Sequence, residues 1–549
     1  MSQSPSSFDR DPQRLVSDLA ANRLSRRGFL SGAASLGIAA PLAGSIHLAS
    51  RGNARAVSLQ DGGKTLVVAI AQSTVQLDPA IAGSNGYGDI IPIHDNLVEG
   101  LTRFTPGTVE IEAALAESWT PSADLLSYVF TLRPGVTFHD GTPVDAAAIE
   151  TNVLRQLDPA HPFHQENMLY TGILYADVAS VAVTGDLEVT FTMSAPTTLL
   201  PGNLAIFAGG VVSPTALEAL GADFGQGVIG TGPFALESFT GGVELVLAAN
   251  ETYWGGRPAL DRIVFRTIAD DTVRFTDLTT GGIDAANQID FKDVDDLQGD
   301  TALQAVTGDF LNMQYLGFNM TLAPFDNLAV RQAVQHAVNR QNIADAIFYG
   351  NYTAGAGPVA PNLPGYDPTL AEIYPYDPER SRTLLAEAGL GDIEVDLRNR
   401  ANSYWPLIGQ LIQADLADVG ITVNLQALED AEFYAGLNNN STAFFLNDWT
   451  WDNGDPDNVM FSLFSAPAAF DRFGYKDPEI DRLNAEAKAE SDPSVRSELY
   501  IQAQRIVLEQ SVQVILGYPG RIIGAQAGVQ GLAISPIGSI PLRTADVTT

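Results

Sequence analysis

The chain has 549 residues, with 30 Lys or Arg against 65 Asp or Glu, a formal charge of −35, no cysteine and 45% apolar residues. That length holds several domains' worth of core at an ordinary apolar share, so disorder throughout is excluded. The acidity, without any Lys/Arg cluster, excludes a nucleic-acid surface, and zero cysteines exclude disulfides, thiolate metal sites, a cysteine nucleophile and a lipid-modified cysteine.

Residues 1–56 read as an export signal. A polar segment leads to Ser25-Arg26-Arg27-Gly28-Phe29-Leu30, then to the weakly apolar run 32–50, then to the small-residue exit Ala54-Arg55-Ala56. The paired arginines match the twin-arginine type of signal. Pro41 and His47 interrupt the apolar run, and no later run is long enough to cross a membrane, so a soluble periplasmic protein is expected. Residues 1–56 hold seven arginines and three aspartates, which leaves 23 basic and 62 acidic groups, or −39, in the remainder. A cationic or zwitterionic small ligand suits that charge better than a polyanion.

Lys64–Ala71 is an apolar β-branched run and predicts a buried first strand, followed by the Gly-rich loop Asp78–Gly88. Ser127–Leu132 predicts a second strand, and Val181–Val183 with Leu187–Met193 a hairpin across Thr184-Gly185-Asp186. Gly227–Gly232 lacks the Lys-Ser/Thr of a phosphate loop and reads as a turn between domains. Asn327 caps a predicted helix over Leu328–Phe348 that Gly350 ends. Asp377-Pro378, Asp477-Pro478 and Asp492-Pro493 each predict a helix start. Leu407–Val419 predicts a helix with Leu407, Ile408, Leu411, Ile412 and Leu416 inward, and Ile421–Leu425 the strand after it.

Catalytic constellations are not legible. The six histidines lie at 47, 94, 139, 161, 164 and 336; His161 and His164 flank Pro162 without a supporting carboxylate, so zinc spacing is not met. No G-x-S-x-G elbow or P-loop is present. No metal or cofactor is called for, and the expectation is a protein that is not an enzyme.

Several segments, in order, resemble the peptide/nickel class, family 5, of solute-binding proteins of ABC importers. They are Asn96–Leu101, Leu115–Trp119, Phe130–Gly141, Gly230–Phe234, Asn250–Trp254, Phe318-Asn319 with Val330–Ala333, Ala337–Arg340, and Tyr376–Pro378 with Leu384–Gly389. The resemblance implies an α/β, two-lobed clamshell with an extra subdomain in the first lobe. The boundaries expected are lobe I at 57–315 plus 520–549, with the subdomain at about 101–230, and lobe II at 316–519. The strands near Gln314–Phe318 and Val514–Tyr518 would cross between the lobes. It further implies a monomer that closes on a small solute and docks on a membrane permease and its ATPase.

Trp449-Thr450-Trp451-Asp452-Asn453-Gly454-Asp455-Pro456 is similar to the Trp-x-x-Asp-x-x-Asp-Pro segment of the dipeptide-binding members, whose first Asp meets the ligand's ammonium. That role would fall to Asp452, with Trp449 and Trp451 adding cation–π contact and Asn453 beside them. Asp455-Pro456 reads as a turn. A peptide carboxylate needs a cation, for which Arg400 stands first and Arg398 second, near Tyr404. The relatives' Arg-Pro-Tyr order is not reproduced; Trp405-Pro406 follows instead. Ser84, Asn85 and Tyr87 of the Gly-rich loop would supply contacts from the first lobe. A peptide-like or amino-containing solute leads; an oligosaccharide, an opine-like compound or a nickel complex on the same fold comes second, and a secreted hydrolase third.

Overall fold

The structure is a computed structural model that describes residues 63–82, 87–389, 392–402, 404–466 and 470–548. The expected export signal at 1–56, and Ser84 and Asn85, lie outside the described residues; Tyr87 opens the helix Tyr87–Ile93.

Among the described residues, twelve strands form one mixed sheet. Its path runs Ile421–Leu428, Ile393–Arg400, Phe444–Thr450, Asn312–Phe318, Gln513–Gln526, Ala285–Asn287, Thr65–Ile70, Arg262–Thr267, Glu244–Ala249, Phe234–Thr240. Leu303–Asp309 and Tyr352–Ala354 pair onto Gln513–Gln526. That last strand, 14 residues long, serves both halves of the sheet. Residues 513–517 pair with Asn312–Phe318, and residues 520–526 pair with Leu303–Asp309. The chain therefore passes between the halves at two adjacent places, 309–312 and 517–520. Asn312–Phe318 is buried along its whole length, as a strand covered on both faces must be.

Each half carries a parallel pair. Thr65–Ile70 lies beside Arg262–Thr267 in one, and Ile393–Arg400 beside Ile421–Leu428 in the other, joined by the helix Trp405–Asp418. A parallel pair needs such a crossover, and the helix covers the sheet face that the alternating apolar residues require. A separate four-stranded sheet takes the order Ala116–Pro121, Ser127–Leu132, Glu188–Met193, Val178–Gly185. It packs on the helix Ala146–Leu157 through one core that includes Phe130, Phe191, Ile149 and Val153.

The three Asp-Pro starts are helix caps. Asp377 accepts from the Arg380 N–H, Asp477 from Glu479, and Asp492 from Ser494 and Val495. Each satisfies donors that no helical carbonyl can reach, and Pro in the first turn forfeits no bond. Two expectations are corrected. The helix over Leu328–Phe348 is two, Leu328–Ala337 and Arg340–Phe348, because Val338 is extended and Asn339 caps a second start through the Asn342 N–H. Leu407 does not point inward; it is 54% exposed, while Ile408, Ile412 and Leu416 are buried.

At the crossing, Gly517 lies against the Tyr352 ring and the Thr353 carbonyl, where a methyl group would overlap both. Gly517→Ala is therefore expected to destabilise the fold by about 1–3 kcal/mol, through displaced backbone rather than lost contact. Urea unfolding checks it; an unchanged midpoint would show that the crossing relaxes freely.

Candidate functional site

A cavity of about 1,400 Å³ opens where three parts of the chain meet. One wall comes from residues that follow or interrupt strands of the first half, including Gln72, Gln288, Phe291 and Arg521. The facing wall comes from the second half, with Arg400, Tyr404, Trp405, Asp448, Trp449, Asp452, Phe470 and Arg472. Leu169, Tyr170 and Ile173 close a third side. Leu169, Tyr349 and Leu407 line it while each is more than half exposed, and they stand among acids, arginines and amides, a mixed apolar and charged lining that suits a polar small molecule.

The strand Phe444–Thr450 aims this wall. Thr450 is registered opposite Asn312, whose amide donates to both the Thr450 hydroxyl (2.8 Å) and the Asp448 carboxylate (2.9 Å), so those two share one face. Trp449 lies on the other, its indole N–H donating to Asn458 at 2.9 Å and its ring edge-on to Phe470 at 5.5 Å. The Trp451 N–H continues the ladder to the Leu311 carbonyl at 3.0 Å. Then the chain turns. Asn453 accepts from the Asp455 N–H (3.2 Å), Asp455 accepts from the Asp457 N–H (2.9 Å), and Gly454 takes φ +65° between them. Asp455 also pairs with Arg496 at 2.8 Å, so it is a structural turn residue.

Asp452 sits at this corner, half-buried and on the cavity. It has no ion pair or hydrogen bond among the described residues, and desolvation alone pushes its carboxyl up to about 7. Tyr170 lines the same cavity, and desolvation, with the Asp452 charge as a smaller cause, raises its hydroxyl above the usual range.

The other expected residues are dispersed. Arg400 ends its strand in the cavity, donates to Asp448 at 2.7 Å, and stacks on Trp405 (4.4 Å to the ring centre) with Tyr434 beyond (5.9 Å). Tyr404 is there too, edge-on to Phe348 at 5.1 Å. Arg398, two residues earlier on the same face, is set back under the helix Asp430–Asn438, bonded to Gln426 (3.2 Å) and Thr442 (3.1 Å), and does not line the cavity. Trp451 is 0% exposed within the core of the second half and presents no face to a ligand. Asn453 is buried against Asn203 at 2.9 Å and borders a separate cavity of about 540 Å³. His161 and His164 are loop residues, and no cluster of metal-ligating groups occurs among the described residues.

Sequence reasoning missed Asp448, Tyr170 and above all Arg472. Arg472 is only 8% exposed; its guanidinium lies over Phe470 (5.1 Å) and near Tyr434 (6.0 Å), and donates to the Tyr315 hydroxyl at 3.2 Å. Nothing local foretells this, since Asp471-Arg472 reads as a surface pair. Asp448 carried a signal: an acid near the end of the apolar run Phe444–Leu446, on a strand next to one bearing Arg400.

The model of bacterial extracellular solute-binding proteins, family 5 (middle region), matches residues 110–471. A probable di/tripeptide-binding protein 5 of Pseudomonas aeruginosa (strain UCBPP-PA14) is 31% identical over 468 residues, covering 81% of this chain and 88% of that protein. Heme-binding protein A of Haemophilus influenzae is 30% identical over 520 residues, covering 89% and 93%. Among solved structures, a dipeptide-binding protein from Pseudoalteromonas sp. SM9913 in complex with Met-Leu superposes with a TM-score of 0.77 at 26% identity, covering 88% of this chain and all of that one.

Proposed function

The chain belongs to the family 5 bacterial extracellular solute-binding proteins, two-lobed α/β binders and not enzymes, and from that membership we propose that it captures a peptide-like or other amino-bearing solute and delivers it unaltered to the permease of an ABC importer. The periplasmic address and the export role of residues 1–56 are part of this proposal; no helix among the described residues is long and apolar enough to cross a membrane.

The observation that carries it is the Asp452 carboxylate, on a large cavity and without a partner among the described residues. A desolvated carboxylate is costly unless a cation reaches it, and a solute ammonium would supply charge-assisted hydrogen bonds. The facing wall holds a cation for an acidic end, Arg472 or the Asp448-paired Arg400, and Trp449, Tyr404 and Phe470 offer apolar cover. The cavity exceeds the usual 300–1,000 Å³ of small-ligand sites and leaves room for side chains of several kinds. Closure would bend the two crossings at 309–312 and 517–520, a few residues from the lobe boundaries that the resemblance implies.

Titration calorimetry against di- and tripeptides tests the reading. Free peptides are expected to bind, and their N-acetylated forms to bind about 100-fold more weakly, because acetylation removes the ammonium. Equal binding of both forms, or binding only of neutral sugars or a metal chelate, would remove the amine claim.

A further inference from the structure

Two arginines face the solute from the same wall, and their surroundings differ. Arg400 already has an acid: its guanidinium donates to Asp448 at 2.7 Å, and Asp448 is held in place by Asn312. It also lies over the Trp405 ring, with the Tyr434 ring further off. A solute carboxylate reaching Arg400 would have to share it with Asp448 and meet that negative charge at close range.

Arg472 has no such partner. It forms no ion pair among the described residues, and the neighbouring residues 467–469, which the structure does not describe, are Pro-Ala-Ala and bear no acid. Among the described residues its Nε is buried without a hydrogen-bond partner, and its one side-chain bond is to the neutral Tyr315 hydroxyl. More than nine-tenths of the residue is buried, and what remains lines the cavity. The acids around the cavity mouth are engaged elsewhere: Asp271 with Arg274, Asp290 with Lys292, Asp430 with Asn402. A buried guanidinium without a counter-ion is a standing cost in the empty protein, and the cavity is where a counter-ion can enter.

Resting on the function proposed above, we infer that Arg472, not Arg400, receives the solute's carboxylate, so that the site selects amine-bearing acids whose two charged ends span from Asp452 to Arg472. Arg400, neutralised by Asp448, acts as a positioned wall that orients apolar cover. The ligand class is then a zwitterion with a free carboxylate, and a peptide amide is discriminated against.

The test pairs variants with ligands. Peptides with a free and an amidated C-terminus are titrated into the wild type, Arg472→Gln and Arg400→Gln. Wild type should prefer the free acid by about 30-fold or more, Arg472→Gln should lose that preference while still binding the amide, and Arg400→Gln should keep it. Preference retained in Arg472→Gln, or lost only in Arg400→Gln, overturns the inference. A ligand-independent arm separates it from the peptide reading. Arg472→Met should raise the urea midpoint of the unliganded protein, because it removes an uncompensated buried charge; a lower or unmoved midpoint overturns the inference. If no peptide binds, yet the midpoint rises and succinate stabilises wild type but not Arg472→Met, the peptide reading falls and the carboxylate anchor stands.

Discussion

Replacing Asp452 by asparagine is expected to weaken capture of an amine-bearing peptide by about 30- to 1,000-fold and to abolish the pH dependence of the binding that remains. The variant keeps shape and hydrogen-bonding capacity but cannot carry the charge that an ammonium pairs with. In the free protein, burial holds the Asp452 carboxyl at about 7, so near neutral pH it is partly protonated. An ammonium binds only the ionised form. Below pH 7 each unit of acidification should therefore cost wild type up to about tenfold in affinity, while above pH 7 affinity levels off until the ligand's own amine begins to lose its proton. Capture between pH 6 and 7 should release a proton, visible as calorimetric heats that vary with the ionisation enthalpy of the buffer. The asparagine variant should show neither effect. Equal proton release by both proteins would assign the titration to another group.

The same residue should trade stability for binding. A carboxyl whose folded value lies above its unfolded one binds more protons in the native state between about pH 4 and 7, so it makes stability fall as pH rises through that window. Asp452→Asn should then be more stable than wild type at pH 8, by about 1–3 kcal/mol without ligand, and indistinguishable from it near pH 3. On the function proposed above, a solute ammonium offsets this cost when it binds.

What the sequence made legible follows from the range of the forces involved. The Asp-Pro caps, the βαβ unit around Trp405–Asp418 and the hairpin ending in Glu188–Met193 depend on neighbours a few residues away, so their signals are local. The segments that carried the family resemblance turned out to be scaffold. Glu99 is fully buried and receives hydrogen bonds from Thr231 (3.1 Å), Tyr253 (2.7 Å) and Trp254 (2.9 Å), tying Asn96–Leu101 to Gly230–Phe234 and Asn250–Trp254 in one polar cluster. His139 of Phe130–Gly141 reaches the Gly232 carbonyl at 3.0 Å. The cavity wall was only half legible. Asp452 and Arg400 were found through a motif and a strand end, but whether Trp449 or Trp451 faces the cavity depends on where the strand stops and the turn begins. Arg472 is buried by rings from Tyr434 and Phe470 and by Tyr315, more than 150 residues earlier, and no periodicity encodes that.

Asp78→Ala is expected to destabilise the fold by about 3–5 kcal/mol, the scale of loss when one partner of a buried ion pair is removed. Asp78 and Arg155 are 1% and 0% exposed and meet fork to fork, with both nitrogen–oxygen distances at 2.8 Å. Asp78 also accepts from the Ala80 N–H at 3.1 Å, and its own carbonyl accepts from Ile81 and Ala82, so it organises the turn over residues 78–82. Arg155 comes from the helix Ala146–Leu157 of the other sheet's layer. Most of the cost of losing Asp78 is the bare guanidinium left behind, rather than the pair's net worth, because two buried ions give back in attraction roughly what they lost in hydration. That asymmetry is testable. Asp78→Ala/Arg155→Met removes both charges and should recover at least half of the stability lost by Asp78→Ala, read as urea midpoints at pH 7. If the double variant is as unstable as the single one, the segment depends on the carboxylate's bond to Ala80 and on its shape, and the ion pair is incidental to holding the Asp78 turn against the helix.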